Sequence, residues 1–191
     1  MKKNIIFILI ISLILSVMIT GCGKKSTLGM YSDPVPPGET VTYKAYNKKP
    51  FHYDLEMTLT EIIRGDEAYD LVVNSDGYDK DIHGLPDDSS EYILAKMKIN
   101  VLKIRSYPLQ PLGFKFVSES GVLYKSMLQD LLYQVRVKPE MEAIFKETGN
   151  ETEGYVLGVV AKDDIPFVVF YGNDNGVWFL TQDQHPTDSS T

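Results

Sequence analysis

From residue 40 onwards, apolar and polar side chains alternate along this chain in short runs, the period expected of half-buried strands. Val41, Tyr43 and Ala45 alternate with Thr40, Thr42 and Lys44, and Tyr53, Leu55, Met57 and Leu59 with Asp54, Glu56, Thr58 and Thr60. The second phase breaks at Ile62-Ile63, and Gly65 ends that strand. Tyr69–Val73 reads as a further short strand, closed by the turn signal Asn74-Ser75-Asp76-Gly77. A long polar loop runs from Asp76 to Glu91. The clearest strand follows it: Ile93, Ala95, Met97, Ile99 and Val101 share one face, and Lys96, Lys98 and Asn100 the other. Beyond Val101 the apolar set shifts to Leu102 and Ile104, which predicts a bulge or a strand bending between sheets.

Pro108 and Pro111 interrupt the pattern, and Phe114, Phe116 and Val117 resume it up to Ser118-Glu119-Ser120-Gly121. In the middle the period changes. Tyr124, Met127, Leu128, Leu131, Leu132 and Val135 recur at helical spacing. A second short helix is expected to open at Pro139, with Glu140 and Glu142 in its first turn and Gly149 after its end. Strands then return. Tyr155, Leu157 and Val159 alternate, Lys162-Asp163-Asp164 turns, and Pro166 leads into Phe167–Tyr171. Asn173-Asp174-Asn175-Gly176 is a hairpin signal, and Val177–Leu180 is the last strand. Seven or more short strands with few helices predict a mainly β fold, an antiparallel immunoglobulin-like β-sandwich with a short helical excursion. Residues 40–181 form that domain, and 182–191 a disordered tail.

The first residues follow another pattern. Lys2 and Lys3 precede an apolar run, Ile5–Ile19, that ends at Gly21-Cys22. A basic start, a short apolar region and small residues before a cut describe a secretory signal peptide over residues 1–21. A retained membrane span is the other reading of that run, since about 20 apolar residues suffice. From Cys22 to about residue 39 the chain reads as a flexible tether containing Pro34, Pro36 and Pro37.

Composition narrows the function. Among charged groups, residues 1–21 hold only Lys2 and Lys3, so the remainder sets 17 basic against 26 acidic side chains, a formal charge of −9. That balance argues against nucleic acid as a partner. The single cysteine excludes a disulfide within the monomer, so the fold depends on its core.

Ile19-Thr20-Gly21-Cys22 resembles the lipobox of bacterial lipoproteins. The resemblance implies cleavage before Cys22, lipid on its sulfur, and a location on the extracytoplasmic face of a bacterial cell membrane. A second likeness lies in Glu153-Gly154-Tyr155, Val156–Val160, Ala161-Lys162-Asp163-Asp164, Phe167–Tyr171 and Trp178-Phe179, with Gly121-Val122-Leu123-Tyr124 before them. These stretches resemble bacterial lipoproteins carrying a telokin-like, immunoglobulin-type β-sandwich of unknown function. That family implies a fold and a location, and supplies no catalytic residues.

Candidate chemistry is sparse. Asp79-Lys80-Asp81-Ile82-His83-Gly84 imitates the opening of a calcium loop, with acids at positions one and three and glycine at six. Position twelve is Ser90 and Glu91 comes one residue late, so a solvated acidic loop is the favoured reading and no metal is expected. His52, His83 and His185 are scattered, and neither a nucleophile elbow nor a free thiol accompanies them. No cofactor motif is present. A carboxylate-pair hydrolase acting on cell-wall material stays open as an alternative, as does a passive surface spacer. The main expectation is a non-catalytic binding protein with an envelope or extracellular protein as partner. The loop residues Tyr78, Asp79, Asp81, His83, Leu85, Asp87 and Asp88 are its candidate contact, and deletion of 76–91 is expected to leave the fold intact. Trp178 and Phe179, with Phe170 and Tyr171, are expected in the sandwich core.

Overall fold

The computed structural model describes residues 27–44, 53–83, 86–104, 113–124, 135–141, 147–171 and 176–182. The expected signal peptide, Cys22, His52, Gly84, Leu85, the helical run expected over 125–134 and the tail from 183 all lie outside the described residues.

Seven strands pair into two antiparallel sheets. They are β1 (Thr40–Lys44), β2 (Tyr53–Arg64), β3 (Ser90–Ile104), β4 (Phe114–Val117), β5 (Glu151–Ala161), β6 (Phe167–Phe170) and β7 (Val177–Phe179). The larger sheet has the order β1-β2-β3-β5 and the smaller β4-β6-β7. The four-plus-three division is that of a constant-type immunoglobulin sandwich, and here β2 hands on to β3 within one sheet.

The alternation read along β2 and β3 is the alternation of burial. Leu55, Met57, Leu59, Ile93, Ala95, Met97, Ile99 and Val101 are all fully buried, facing Phe114, Phe116, Val168, Phe170, Val177 and Phe179 of the smaller sheet. The two phase breaks are bulges. Leu59 pairs with Met97 and Glu61 with Lys96, which leaves Thr60 as the extra residue; Leu55 pairs with Val101 and Asp54 with Lys103, which leaves Leu102 outside the ladder and 38% exposed.

The larger sheet is also covered on its other face. Ile63, Tyr92, Leu94 and Leu157 meet Ala68, Val72, Val135 and Val137 in a second cluster. Tyr69–Val73 is therefore not a strand: it is the second half of helix α1, Gly65–Val73. Ala68 and Val72, four residues apart, are both fully buried, and Tyr69 packs on Tyr92 at 6.4 Å between ring centroids. A five-residue apolar run is too short for periodicity alone to separate strand from helix. Asp66 and Glu67 favour the helix N-terminus, and Gly65 at φ +66° turns the chain into it.

Two more expectations change. The 76–91 loop contains a short helix, α2 (Lys80–His83), and its last two residues already belong to β3. Pro139 does not open a helix. Glu140 forms a parallel bridge with Tyr155, whose N–H donates to the Pro139 carbonyl at 3.1 Å.

Residues 27–39, expected within the flexible tether, are docked. Val35 is fully buried and bridges Phe179; its N–H donates to the Trp178 carbonyl at 2.8 Å, and Leu180 N–H donates back to Val35 at 2.9 Å. Trp178 N–H donates to the Gly29 carbonyl at 2.9 Å, and Leu28 packs against the main core. This segment is a strap along the β7 edge, closing one side of the sandwich.

Candidate functional site

The candidate loop residues do not converge into one cluster. Tyr78 turns inward: its ring stacks on His83 at 5.7 Å, its hydroxyl hydrogen-bonds that of Tyr92, and it packs against the second cluster. Burial raises its phenol above the ordinary value. Asp79 caps α2, its Oδ1 accepting the Asp81 N–H at 2.9 Å, while His83 Nδ1 accepts the Asp79 N–H at 2.8 Å. The calcium-like spacing is thus spent on a capped helical turn. Asp87 is drawn into its own turn, Oδ1 accepting Ser89 N–H at 3.0 Å and Ser89 Oγ–H at 2.7 Å, and these bonds hold its carboxyl below the usual range. Asp81 and Asp88 are exposed. Among the described residues, no group of three or more His, Cys, Asp or Glu side chains is placed to hold a metal ion.

The two ends of the loop are structural. The Asp76 carbonyl accepts the Arg136 N–H at 2.9 Å and its carboxylate meets Lys138 Nζ at 2.8 Å; that bond and charge hold its carboxyl below the usual range. Glu91, at the other end, pairs with Arg64. Deletion of 76–91 would remove both, together with Tyr78 from the second cluster and the first two residues of β3, and is expected to destabilise the fold.

The first residue of the loop, Asp76, borders a cleft. About 390 Å³ of open space lies between the C-terminal half of α1 and the segment 136–138. Leu71 and Val137 give it an apolar floor, and Asp70, Asp76, Arg136 and Lys138 line its rim. Asn74 and Ser75 end the helix there: Asn74 Nδ2 donates to the Asp70 carbonyl at 2.8 Å and Ser75 Oγ to the Val72 carbonyl at 2.6 Å. The cleft belongs to the outer layer of the larger sheet, the layer that α1 and Val135–Val137 form. Its signal in the sequence was the tight succession of turn formers after Leu71.

On the opposite side of the molecule, the outer face of the smaller sheet carries aromatic rings. Phe170 and Phe179 are fully buried core, as expected. Trp178 is not: one residue away along β7, it faces outward and packs edge-on to Phe167 at 5.5 Å, while Tyr171 is 40% exposed. Tyr31 of the strap joins them, 5.0 Å from Trp178 and 5.6 Å from Phe167, its hydroxyl donating to the Glu119 carbonyl at 3.0 Å. The period of two forbids adjacent residues on a strand from sharing a face, which was the available signal.

One pair of carboxylates is brought together on the open part of the larger sheet. Glu61 and Glu153 flank Lys96, at 3.9 and 3.3 Å from its Nζ, and Tyr155 donates to Glu61 at 2.9 Å. The ammonium between them offsets one of the two negative charges.

No protein-family model matches this chain, and no curated protein matches it. Solved structures similar to it include a secreted protein from Mycobacterium tuberculosis, 13% identical over 77% of this chain and 97% of that one, with a TM-score of 0.45. A conserved hypothetical protein from Bacillus anthracis is 16% identical over 73% and 96%, with a TM-score of 0.41. An uncharacterised β-sandwich protein from Clostridium difficile is 12% identical over 83% and 99%, with a TM-score of 0.40.

Proposed function

We propose that this chain is a lipid-anchored protein of the extracytoplasmic face of a bacterial cell membrane, and that its sandwich recognises another envelope or extracellular protein. One observation carries the reading. The cleft between α1 and 136–138 sets two apolar side chains, Leu71 and Val137, among two acidic and two basic ones, Asp70, Asp76, Arg136 and Lys138. A partner segment that presents an apolar side chain flanked by charges of both signs complements that arrangement in shape and charge. Leu71 is 36% exposed at the cleft, so it is accessible without unfolding the helix that carries it.

The anchor is supported by the lipobox likeness at Cys22. Replacing Cys22 with serine should leave uncleaved precursor and abolish lipid labelling; a variant still processed and membrane-bound would refute the anchor. The recognition step is tested by affinity capture of the mature protein against solubilised envelope from the source cells. Leu71→Arg, and separately the pair Asp81→Asn and Asp88→Asn, should lose a saturable partner while keeping the melting temperature. Undiminished capture by both variants would remove this face from the reading.

A further inference from the structure

We infer that the outer face of the smaller sheet is a membrane-contact surface, seated on the bilayer that carries the anchor. This rests on the reading of Cys22 as lipidated. Only four residues, Gly23 to Ser26, separate Cys22 from Thr27, and a fully extended chain spans at most about 3.3–3.6 Å per residue. Thr27 therefore lies within roughly 18 Å of an acylated Cys22. Thr27 is no free end. Its hydroxyl donates to Asp33 at 2.6 Å, its carbonyl accepts the Met30 N–H at 3.0 Å, and the strap beyond it is hydrogen-bonded to β7. A short lead attached to a docked strap keeps this part of the domain near the headgroups.

What the strap presents there is apolar and aromatic. Met30 is 41% and Tyr31 52% exposed, and Tyr31 rests against Phe167 and Trp178. The turn that accepts the Tyr31 hydroxyl leads into Val122, 58% exposed, and Leu123, 40% exposed, and Leu123 bridges Val117 beside Phe167 in the sheet. Tyr31, Phe167 and Trp178 form one ring cluster, and Met30 and the Val122–Leu123 turn add exposed apolar side chains beside it. Trp and Tyr, with an apolar body and a polar tip, concentrate at the level of the lipid headgroups, and isolated apolar residues rarely gather like this on a soluble surface. Lys115 points from the same sheet face, its Nζ 4.3 Å from the Tyr171 ring centroid, and supplies a cation at the edge.

Charge separates the two sides of the molecule. The acidic layer of α1 and the 76–88 loop covers the far face of the larger sheet, two layer spacings of about 10 Å from the aromatic face. That exceeds the screening length of about 8 Å at physiological salt, so an anionic leaflet under the aromatic face does not repel the acidic one. The same orientation turns the cleft away from the bilayer.

Trp178 is the only tryptophan, so its fluorescence reports this face alone. The mature protein is reconstituted into vesicles of phosphatidylcholine and phosphatidylglycerol with brominated acyl chains, after mass spectrometry of the N-terminal peptide has established whether Cys22 is acylated. With Cys22 acylated, bromolipid should quench Trp178, and acrylamide should quench it less than in detergent-free solution of the unlipidated domain. Tyr31→Asp and, on the separate turn, Val122→Asp should each lose the bromolipid quenching with lipid and fold retained. An acylated protein whose Trp178 ignores bromolipid and stays open to acrylamide overturns the membrane contact and leaves the anchor standing. Shielding from acrylamide without bromolipid quenching assigns the face to a second copy or another protein and overturns it equally. An unacylated Cys22 overturns both, and the mass spectrum distinguishes that case.

Discussion

Arg64 and Glu91 meet as an ion pair, Nη2 to Oε1 at 2.6 Å, with less than a fifth of either side chain exposed. The same guanidinium donates to the carbonyls of Asp164 at 2.7 Å, Ala161 at 3.2 Å and Lys162 at 3.3 Å, and Asp164 in turn accepts the Tyr124 hydroxyl at 2.6 Å. One side chain thus ties the end of β2, the start of β3 and the β5–β6 turn. Arg64→Ala strands a half-buried carboxylate and three carbonyls, and should cost about 2–3 kcal/mol in chemical denaturation. Arg64→Met combined with Glu91→Leu should recover part of that loss, because the carboxylate is no longer left without a partner while the three carbonyls remain so.

Gly154 and Gly158 lie on the same face of β5, and each gives room to a different neighbour. A Cβ at Gly158 would meet the Phe116 ring, with Cε2 only 2.6 Å away; at Gly154 it would meet the backbone of Glu140 and Met141, with the Glu140 carbonyl carbon at 2.6 Å. Gly158→Ala should destabilise by about 1–3 kcal/mol, and Phe116→Leu in the same chain should restore part of it. Gly154→Ala should cost more than Gly158→Ala, since backbone yields less readily than a ring. Thermal unfolding of the three variants checks the order.

Alkaline pH should weaken the fold through Tyr155. Burial first, and then its bond to the Glu61 carboxylate, push its phenol from the ordinary 10 up to about 12. In that window the unfolded chain has released the proton that the folded chain retains, so the unfolded state binds fewer protons and stability falls as pH rises. Below pH 10 this contribution is fully present. Tyr155→Phe should flatten the fall in melting temperature between pH 10 and 12. Burial also raises Tyr92, so the slope should shrink without vanishing.

The strap supplies a further outcome. Val35 is fully buried between the sheets, so Val35→Ala should lower stability by roughly 2 kcal/mol in the unlipidated domain. A freely moving spacer would show no change at that position. Urea denaturation with an unchanged slope would assign the difference to lost packing.

The sequence by itself determined the strands whose two faces differ. Along β2 and much of β3, one face meets the sandwich core and the other meets water, so a period of two is imprinted on the residues; the phase slips read at Ile62-Ile63 and after Val101 reflect bulges at Thr60 and Leu102. Turns written in Gly, Asn and Asp, such as Ser118–Gly121 and Lys162–Asp164, were legible for the same local reason. Where both faces are covered the code fails: Tyr92 and Leu94 are as buried as Ile93 and Ala95, and only α1 and Val135–Val137 above them explain it. Tyr69–Val73 carried too few residues to declare its own period, and packing on that second face made it a helix. Docking of the strap, the outward turn of Trp178, and the pairing of Arg64 with Glu91 across 27 residues were decided in three dimensions. A side chain's partner across the core leaves no periodic trace in its own neighbourhood. The acidic loop was legible as composition, but its position on the layer opposite the aromatic face follows only from which sheet each segment covers.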